Sequence, residues 1–539
     1  MLLHNLFRRK SLDDAMAESS QNGKGLKRVL GGGDLILLGI GGIIGAGIFA
    51  TVGTAAVGDT MRPGAGPAII VSFVITGIAC GFCALCYAEL SSMVPVSGSA
   101  YTYSYLTLGE FIAWIIGWDL IIEYAVGNIA VAISWSGYFN ALLRGLGVDL
   151  PCWMVTDYRS AFSGEAIYNA ASALISGMAP EAVLSKYASA AGYIKQAMAD
   201  GLSYQHILAN FETAHHAVES APLFLGIPII FNVPAVLSVV LITIILIIGI
   251  RESARFNAVM VAIKLLILAF FVFVGFFYVQ PENWRPFMPN GLGGVQAGAA
   301  IVFFAYIGFD AVSTAAEETK NPSRNLPIGI IGSLIICTII YILVALVLTG
   351  MIPISAFTQS NKAEPLTVAM DYYKLGWASG IIAFGSIVAH TAVLIVFQLG
   401  QTRIFYCMAR DGLLPRSFAR VHRRFRTPHV TTIVTGIFVA FFAAFTNIDE
   451  MVDLTNIGTL FAFILVCIGV VILRKREPQR ARGFHAPALT LMAVLGIVSC
   501  IYLIMGLPVI TYIRFLLWLG IGAIFYFSYG YWKSARRNA

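Results

Sequence analysis

Apolar and polar residues fall along this chain in long blocks. Apolar runs of spanning length lie at 35–57, 67–93, 111–143, 229–250, 256–279, 295–316, 328–350, 378–402, 430–446, 454–473, 487–506 and 509–532. A helix needs about 20 apolar residues to cross a hydrocarbon core about 30 Å thick. Lipid offers no partner to a bare backbone N–H or C=O, so such runs must be helical. The pattern predicts an all-α integral membrane protein with twelve transmembrane helices. Residues 1–33 are polar and carry Arg8, Arg9, Lys10, Lys24, Lys27 and Arg28, so the first run reads as an uncleaved span.

Composition points the same way. Of 539 residues, 58% are apolar and only 12% charged, against about 25% charged in a soluble domain. Too few charges remain to cover a water-soluble surface, and a net charge of +7 is small for nucleic-acid binding. Lys and Arg set orientation. With a cytoplasmic N-terminus, 25 of the 35 fall in inner segments and 8 in outer ones, with Lys264 and Arg514 inside apolar runs. Both termini are therefore expected inside, in a multi-pass protein of the plasma (inner) membrane surrounded by lipid. The order reads as a cytoplasmic segment 1–33, helices 1–5 over 34–279, helices 6–10 over 295–474, helices 11–12 over 487–532, and a tail 533–539.

One connection is long. Residues 148–227 form an outer insertion between the third and fourth runs, and 163–175, 180–198 and 204–218 read as amphipathic helices capping that face. Its His206, His215 and His216 gain no cysteine or acid at a recognised metal spacing, so no metal is expected. Cys80, Cys83 and Cys86 follow helical spacing within a span, and Cys152 alone lies in an outer segment, so no disulfide framework is expected.

Function in a membrane protein shows where the helical or apolar rule is broken at depth. The first run holds five glycines and Ala46 within residues 38–49. Glycine weakens a helix and lets its backbone open toward a polar ligand. The Gly41/Gly45 pair could equally serve close packing. A second weak point is Phe303-Phe304-Ala305-Tyr306-Ile307-Gly308-Phe309-Asp310 in the sixth run. Runs one and six each open a set of five, and paired interruptions at corresponding positions are the sequence mark of a midplane transport site.

Several ionisable residues also sit deep. Lys264 follows Arg255 by nine residues, about 14 Å into its helix, where burial disfavours the charged form and suits a proton carrier. Hydrogen bonding to backbone carbonyls is the competing structural role. Asp119 and Glu123 share one helix face four residues apart. Glu123 lies deeper and is the candidate for a proton or polar relay. Asp310 is expected to fix the broken sixth helix, and His390 to be a packing histidine. No nucleophile–base pair or metal set points to an enzyme, and no cofactor is expected beyond a proton as coupling ion.

These stretches resemble the cationic amino acid transporter family of the amino acid–polyamine–organocation superfamily, in its bacterial form. The resemblance runs through 34–49, Gly66-Pro67-Ala68-Ile69, 84–90, 95–103 and Gly117-Trp118-Asp119-Leu120-Ile121-Ile122-Glu123-Tyr124. It continues through Phe231-Asn232, Pro234-Ala235, Gly249-Ile250-Arg251-Glu252-Ser253, 304–322, Gln401-Thr402-Arg403 and 410–415. It leaves out residues 1–25 and the 148–227 insertion. The resemblance implies a LeuT-type fold, a 5+5 inverted repeat with two extra helices. It implies a substrate carboxylate held at Ile44, Gly45, Ala46 and Gly47, and an α-amino group at the carbonyls of Ile43, Phe304, Ala305 and Ile307. It also implies that Lys264 stands where other members bind sodium. Ala46 replaces a threonine or serine found in many relatives, so a side-chain contact is lost there. The expectation is a secondary amino acid permease working by alternating access in proton symport. Sodium coupling, exchange, and a sensor or channel are the alternatives, and the identity of the amino acid stays open.

Overall fold

The computed structural model describes residues 6–11, 28–59, 61–94, 98–199, 203–248, 254–357, 361–425 and 427–534. Most of the N-terminal segment, motif residues 95–97 and 249–253, and the tail beyond 534 lie outside the described residues.

Each apolar run is occupied by helix. The first is split into α1 (Gly32–Ile43) and α2 (Gly47–Val57), bent by 44°. Then come α3 (Gly66–Met93), the short α4 (Ser99–Thr107) and α5 (Glu110–Gly145). The insertion follows as α6 (Tyr158–Ile175), α7 (Pro180–Lys186), α8 (Ala191–Ala199), α9 (Tyr204–Glu219) and a hairpin of β1 (Leu223–Phe224) and β2 (Ile227–Pro228). The bundle resumes with α10 (Val233–Ile248), α11 (Ala254–Phe276), α12 (Gly291–Val302), α13 (Pro322–Met351), a short α14 (Pro365–Tyr372) and α15 (Gly376–Arg410). It ends with α16 (His429–Phe445), α17 (Ile448–Arg476), α18 (Leu489–Ile504) and α19 (Val509–Lys533). Among the described residues, eight helices are long and apolar enough to cross a membrane, the bent pair makes a ninth, and α10, α16 and α18 are shorter apolar helices.

Packing follows a pattern of counterparts. The second run packs against the seventh (α3 on α13), the third against the eighth (α5 on α15) and the fourth against the ninth (α10 on α16). The central α5 is almost wholly enclosed by protein, whereas α11 and α19 leave most of their apolar surface uncovered. Uncovered apolar faces are what a hydrocarbon solvent permits, since lipid tails are as apolar as the side chains they meet.

The two ends of the bundle are tied by different charges. At one end Arg62 meets Asp59 at 2.7 Å and Asp453 at 2.9 Å, and Lys362 meets Asp449 at 3.0 Å. At the other, Glu110 accepts from Tyr105, Tyr526 and Ser534, Lys10 lies 3.6 Å from Asp411, and Arg474 grips buried Glu89 through two nitrogens. Residues near both ends of the described chain, Lys10 and Ser534, thus share one face. The 29 residues of α17 join that face to the other, spanning about 40 Å.

The insertion has its own small core of Ile167, Leu174, Val183, Ile194, Ile207 and Phe211, and stands at the Arg62 end, where Arg159 pairs with Glu450 at 2.6 Å. The single helix expected over 180–198 is two, because the backbone leaves helical geometry at Tyr187 (φ −112°, ψ 57°). His215 stacks on Tyr168 and faces Glu219, and no cluster of three metal-binding side chains exists among the described residues.

Candidate functional site

The glycine-rich first run does open. Ile44 is extended (φ −77°, ψ 102°) between α1 and α2, and the first turns of α2 are wound wide, with i→i+5 geometry over Gly47–Thr51. Wide turns of this kind inside membrane helices gather at functional positions. The sixth run also opens. A tight turn over Phe303–Tyr306 ends at extended Ile307 (ψ 134°), followed by Gly308 at φ +116°. Only glycine adopts that φ without cost. The chain then continues as a tight helix over Asp310–Glu318.

The two breaks face each other. A Cβ on Gly308 would press on the Gly42 carbonyl at 2.8 Å, and one on Gly47 would fall on the backbone of Ala305. Absent side chains let the two open backbones meet. Tyr341 of α13 sits between them, its hydroxyl 2.9 Å from the Ile43 carbonyl and 2.8 Å from that of Ala305. On the other side Lys264 of α11, fully buried, donates from Nζ to the carbonyls of Gly41 (2.7 Å) and Ile44 (3.0 Å). The lysine does bond to backbone carbonyls, and they are those released by the break. The physical cause is plain: carbonyls at an unwound turn in a dry interior need donors.

Ile43, Ile44, Gly45, Ala46, Gly47, Phe304, Ala305 and Ile307 all lie at these breaks and are buried. The surrounding side chains are apolar or aromatic. Val393 crowds Gly45, Phe49 packs on Tyr138 and His390, and the Tyr138 hydroxyl donates to the Phe49 carbonyl. His390 is held by Ser134 at 2.7 Å and by the Ser386 carbonyl at 2.6 Å, a fixed packing histidine beside the break.

Glu123 belongs to a separate cluster. It sits in a wide turn of α5 (Ile122–Val126), with Asp310 and Thr459 of α17 beside it. Ser99 lies 3.4 Å from Asp310 Oδ2, and Asp310 Oδ1 has no hydrogen-bond partner among the described residues. Two buried carboxyl groups, one from the third run and one from the sixth, thus lie near each other. Asp119, one turn before Glu123, is buried near Gly458. Tyr341 and the Glu123–Asp310 partnership were not foreseen from sequence. Tyr341 looks like any aromatic residue in an apolar run, and only its place between two breaks sets it apart.

Paired helix breaks inside a bundle of membrane-length helices define a membrane transport protein. Comparison with known proteins places it more closely. The family model for amino acid permeases matches residues 30–522. The chain is 42% identical over 525 residues to the branched-chain amino acid permease BcaP of Bacillus subtilis (strain 168), covering 97% of each chain. It is 40% identical over 527 residues to the methylthioribose transporter of the same organism, covering 98% of each. It is 35% identical to the vacuolar cationic amino acid transporter 2 of Arabidopsis thaliana, over 88% of this chain and 64% of that one. The chain belongs to the amino acid permease family. It is a transporter of the multi-pass plasma-membrane type and not an enzyme.

Proposed function

We propose that the protein imports a neutral amino acid with an apolar side chain by proton symport, through alternating access. The observation that carries this reading is the meeting of two helix breaks, whose free carbonyls are capped by Lys264 and Tyr341. The start of α2 offers N–H groups at Gly45, Ala46 and Gly47 to a carboxylate, since a helix N-terminus carries partial positive charge. The carbonyls of Ile43, Phe304, Ala305 and Ile307 offer the opposite polarity to an ammonium group. The side chains nearest the breaks, Val393, Phe49, Tyr138 and His390, carry no acid, and Glu123 of α5 lies beside Asp310. A cationic side chain would therefore find no free acid there, which favours a neutral substrate, as does the likeness to a branched-chain permease.

Coupling is assigned to Lys264, with the Glu123–Asp310 pair as a second proton store. A protonated Lys264 holds the Gly41 and Ile44 carbonyls together. Losing the proton removes charge-assisted bonds and loosens the break, so occupancy by a proton and closure of the site rise together. We also infer twelve spans, with α10, α16 and α18 crossing as the fourth, ninth and eleventh, both termini cytoplasmic, and a 5+5 inverted repeat supported by the counterpart packing.

The test is uptake into proteoliposomes under an imposed inward proton gradient, with and without sodium. Leucine accumulation driven by the proton gradient and abolished in Lys264→Ala is expected. Accumulation that follows sodium and ignores pH would overturn the proton assignment. Competition by methylthioribose, with none by any amino acid, would replace the substrate reading by that of the second bacterial relative.

A further inference from the structure

The β1–β2 hairpin joins the insertion to α10, and its sequence is unusual for a segment outside the bundle. Between Glu219 and Asn232 there is no charged residue, and the hairpin reads Leu223-Phe224-Leu225-Gly226-Ile227-Pro228. Leu223, Phe224, Leu225 and Ile227 all project from the protein, and Leu225 at the tip is 88% exposed. The turn itself makes this harder to dismiss as chance. Leu225 (φ +53°) and Gly226 (φ +79°) are both left-handed, the geometry of a tight hairpin that favours asparagine or aspartate followed by glycine. A leucine there is strained, because its Cβ crowds the backbone, and it is the wrong residue for water. Among the described residues nothing offsets that cost, since Leu225 leaves most of its surface uncovered. Contact with something outside the chain would supply the compensation.

Position identifies the source. The base of the hairpin is pinned to the bundle, with the Phe231 N–H donating to the Trp153 carbonyl (3.1 Å) and the Asn232 N–H to that of Ala444 near the end of α16 (3.1 Å). α10 begins one residue later and carries an uncovered apolar face through Leu237, Leu241 and Ile244, while α16 ends on exposed Phe441 and Phe445. The hairpin is thus continuous with the lipid-facing surface of two membrane helices at their ends. We propose that the hairpin inserts Leu225 and its apolar neighbours into the leaflet on the insertion's side, anchoring the insertion to the lipid surface. An uncharged apolar loop at the junction of acyl chains and headgroups gains by transfer from water.

Full-length protein in phosphatidylcholine–phosphatidylglycerol vesicles tests this. A bimane label at Leu225→Cys, with Cys152 and Cys407 replaced by alanine, is read against lipids bearing a nitroxide near the carbonyl end of the acyl chain. Quenching several-fold stronger than for the same label at Glu181→Cys, on the exposed surface of the insertion, is expected. Equal quenching at the two sites would overturn the proposal. So would disulfide cross-linking between two Leu225→Cys copies without lipid quenching, which would make a second copy the occupant. Leu225→Asn relieves the turn and keeps the fold, so it separates anchoring from stability. It should cut quenching of a label at Phe224→Cys several-fold with no loss of thermal stability, and unchanged quenching would overturn the role given to Leu225.

Discussion

Tyr341 has one hydroxyl proton and two carbonyls within reach, one from each broken helix. Tyr341→Phe removes the only donor it brings and leaves a buried carbonyl unpaired, at a cost of about 1–3 kcal/mol. A lower melting temperature in detergent and weaker substrate binding are expected, measured by thermal unfolding with and without leucine. If binding were untouched, the tyrosine would be packing alone. Gly47→Ala tests contact between the breaks more directly, because the added methyl would meet the Ala305 backbone and not a flexible side chain. Uptake should be lost while the protein still reaches the membrane. The glycines and Lys264 were legible from sequence, because small residues and a charge in an apolar run violate a rule. Tyr341 and the approach of Glu123 to Asp310 were not, because a tyrosine violates nothing and a carboxyl pair across helices has no sequence spacing.

At the scale of elements, the short helix α14 and the loop before it lie over the second half of the first broken helix. A Cβ on Gly53 would fall on the Lys362 carbonyl, and Lys362 also bonds to the Gly58 carbonyl and pairs with Asp449. Burial of Asp59 opposes its charge, but Arg62 and Lys362 outweigh burial and hold its carboxyl below the usual range. Glu364, at the start of α14, is different. Burial pushes it up to about 7 from 4.5, although Arg144 at 3.3 Å works in the other direction. The folded state therefore binds a proton that the unfolded chain has released between those two values. Its contribution is present below the ordinary glutamate range and lost as pH rises through about 7. Melting temperature should fall between about pH 5 and pH 8 in the wild type, and the slope should flatten in Glu364→Gln. An unchanged slope would assign the pH response elsewhere. Element positions were readable from apolar periodicity. The split of 180–198 into α7 and α8 was not, because the run's one glycine, Gly192, lies inside α8 and does not mark the turn at Tyr187.

For the whole molecule, the charge bias makes a direct prediction of orientation. A cysteine at Glu181 should react with an impermeant maleimide on intact cells, and one at Lys475 only after permeabilisation, both in a Cys152→Ala background. The opposite pattern would invert the orientation. The sequence expects both termini on one side because Lys and Arg partition by side, and the structure groups Lys10, Glu110, Arg474 and Ser534 on one face. Sequence alone determined that the chain lives in lipid, which stretches form apolar helices, and where two helices are weak, because each follows from local composition against the fixed thickness and dryness of a bilayer. Tertiary structure decided what those weak points are for. Only packing could bring Gly42 against Gly308, set Lys264 and Tyr341 on the carbonyls so released, and divert Glu123 to Asp310, because these residues are brought together across tens to hundreds of positions by the bundle and not by the chain.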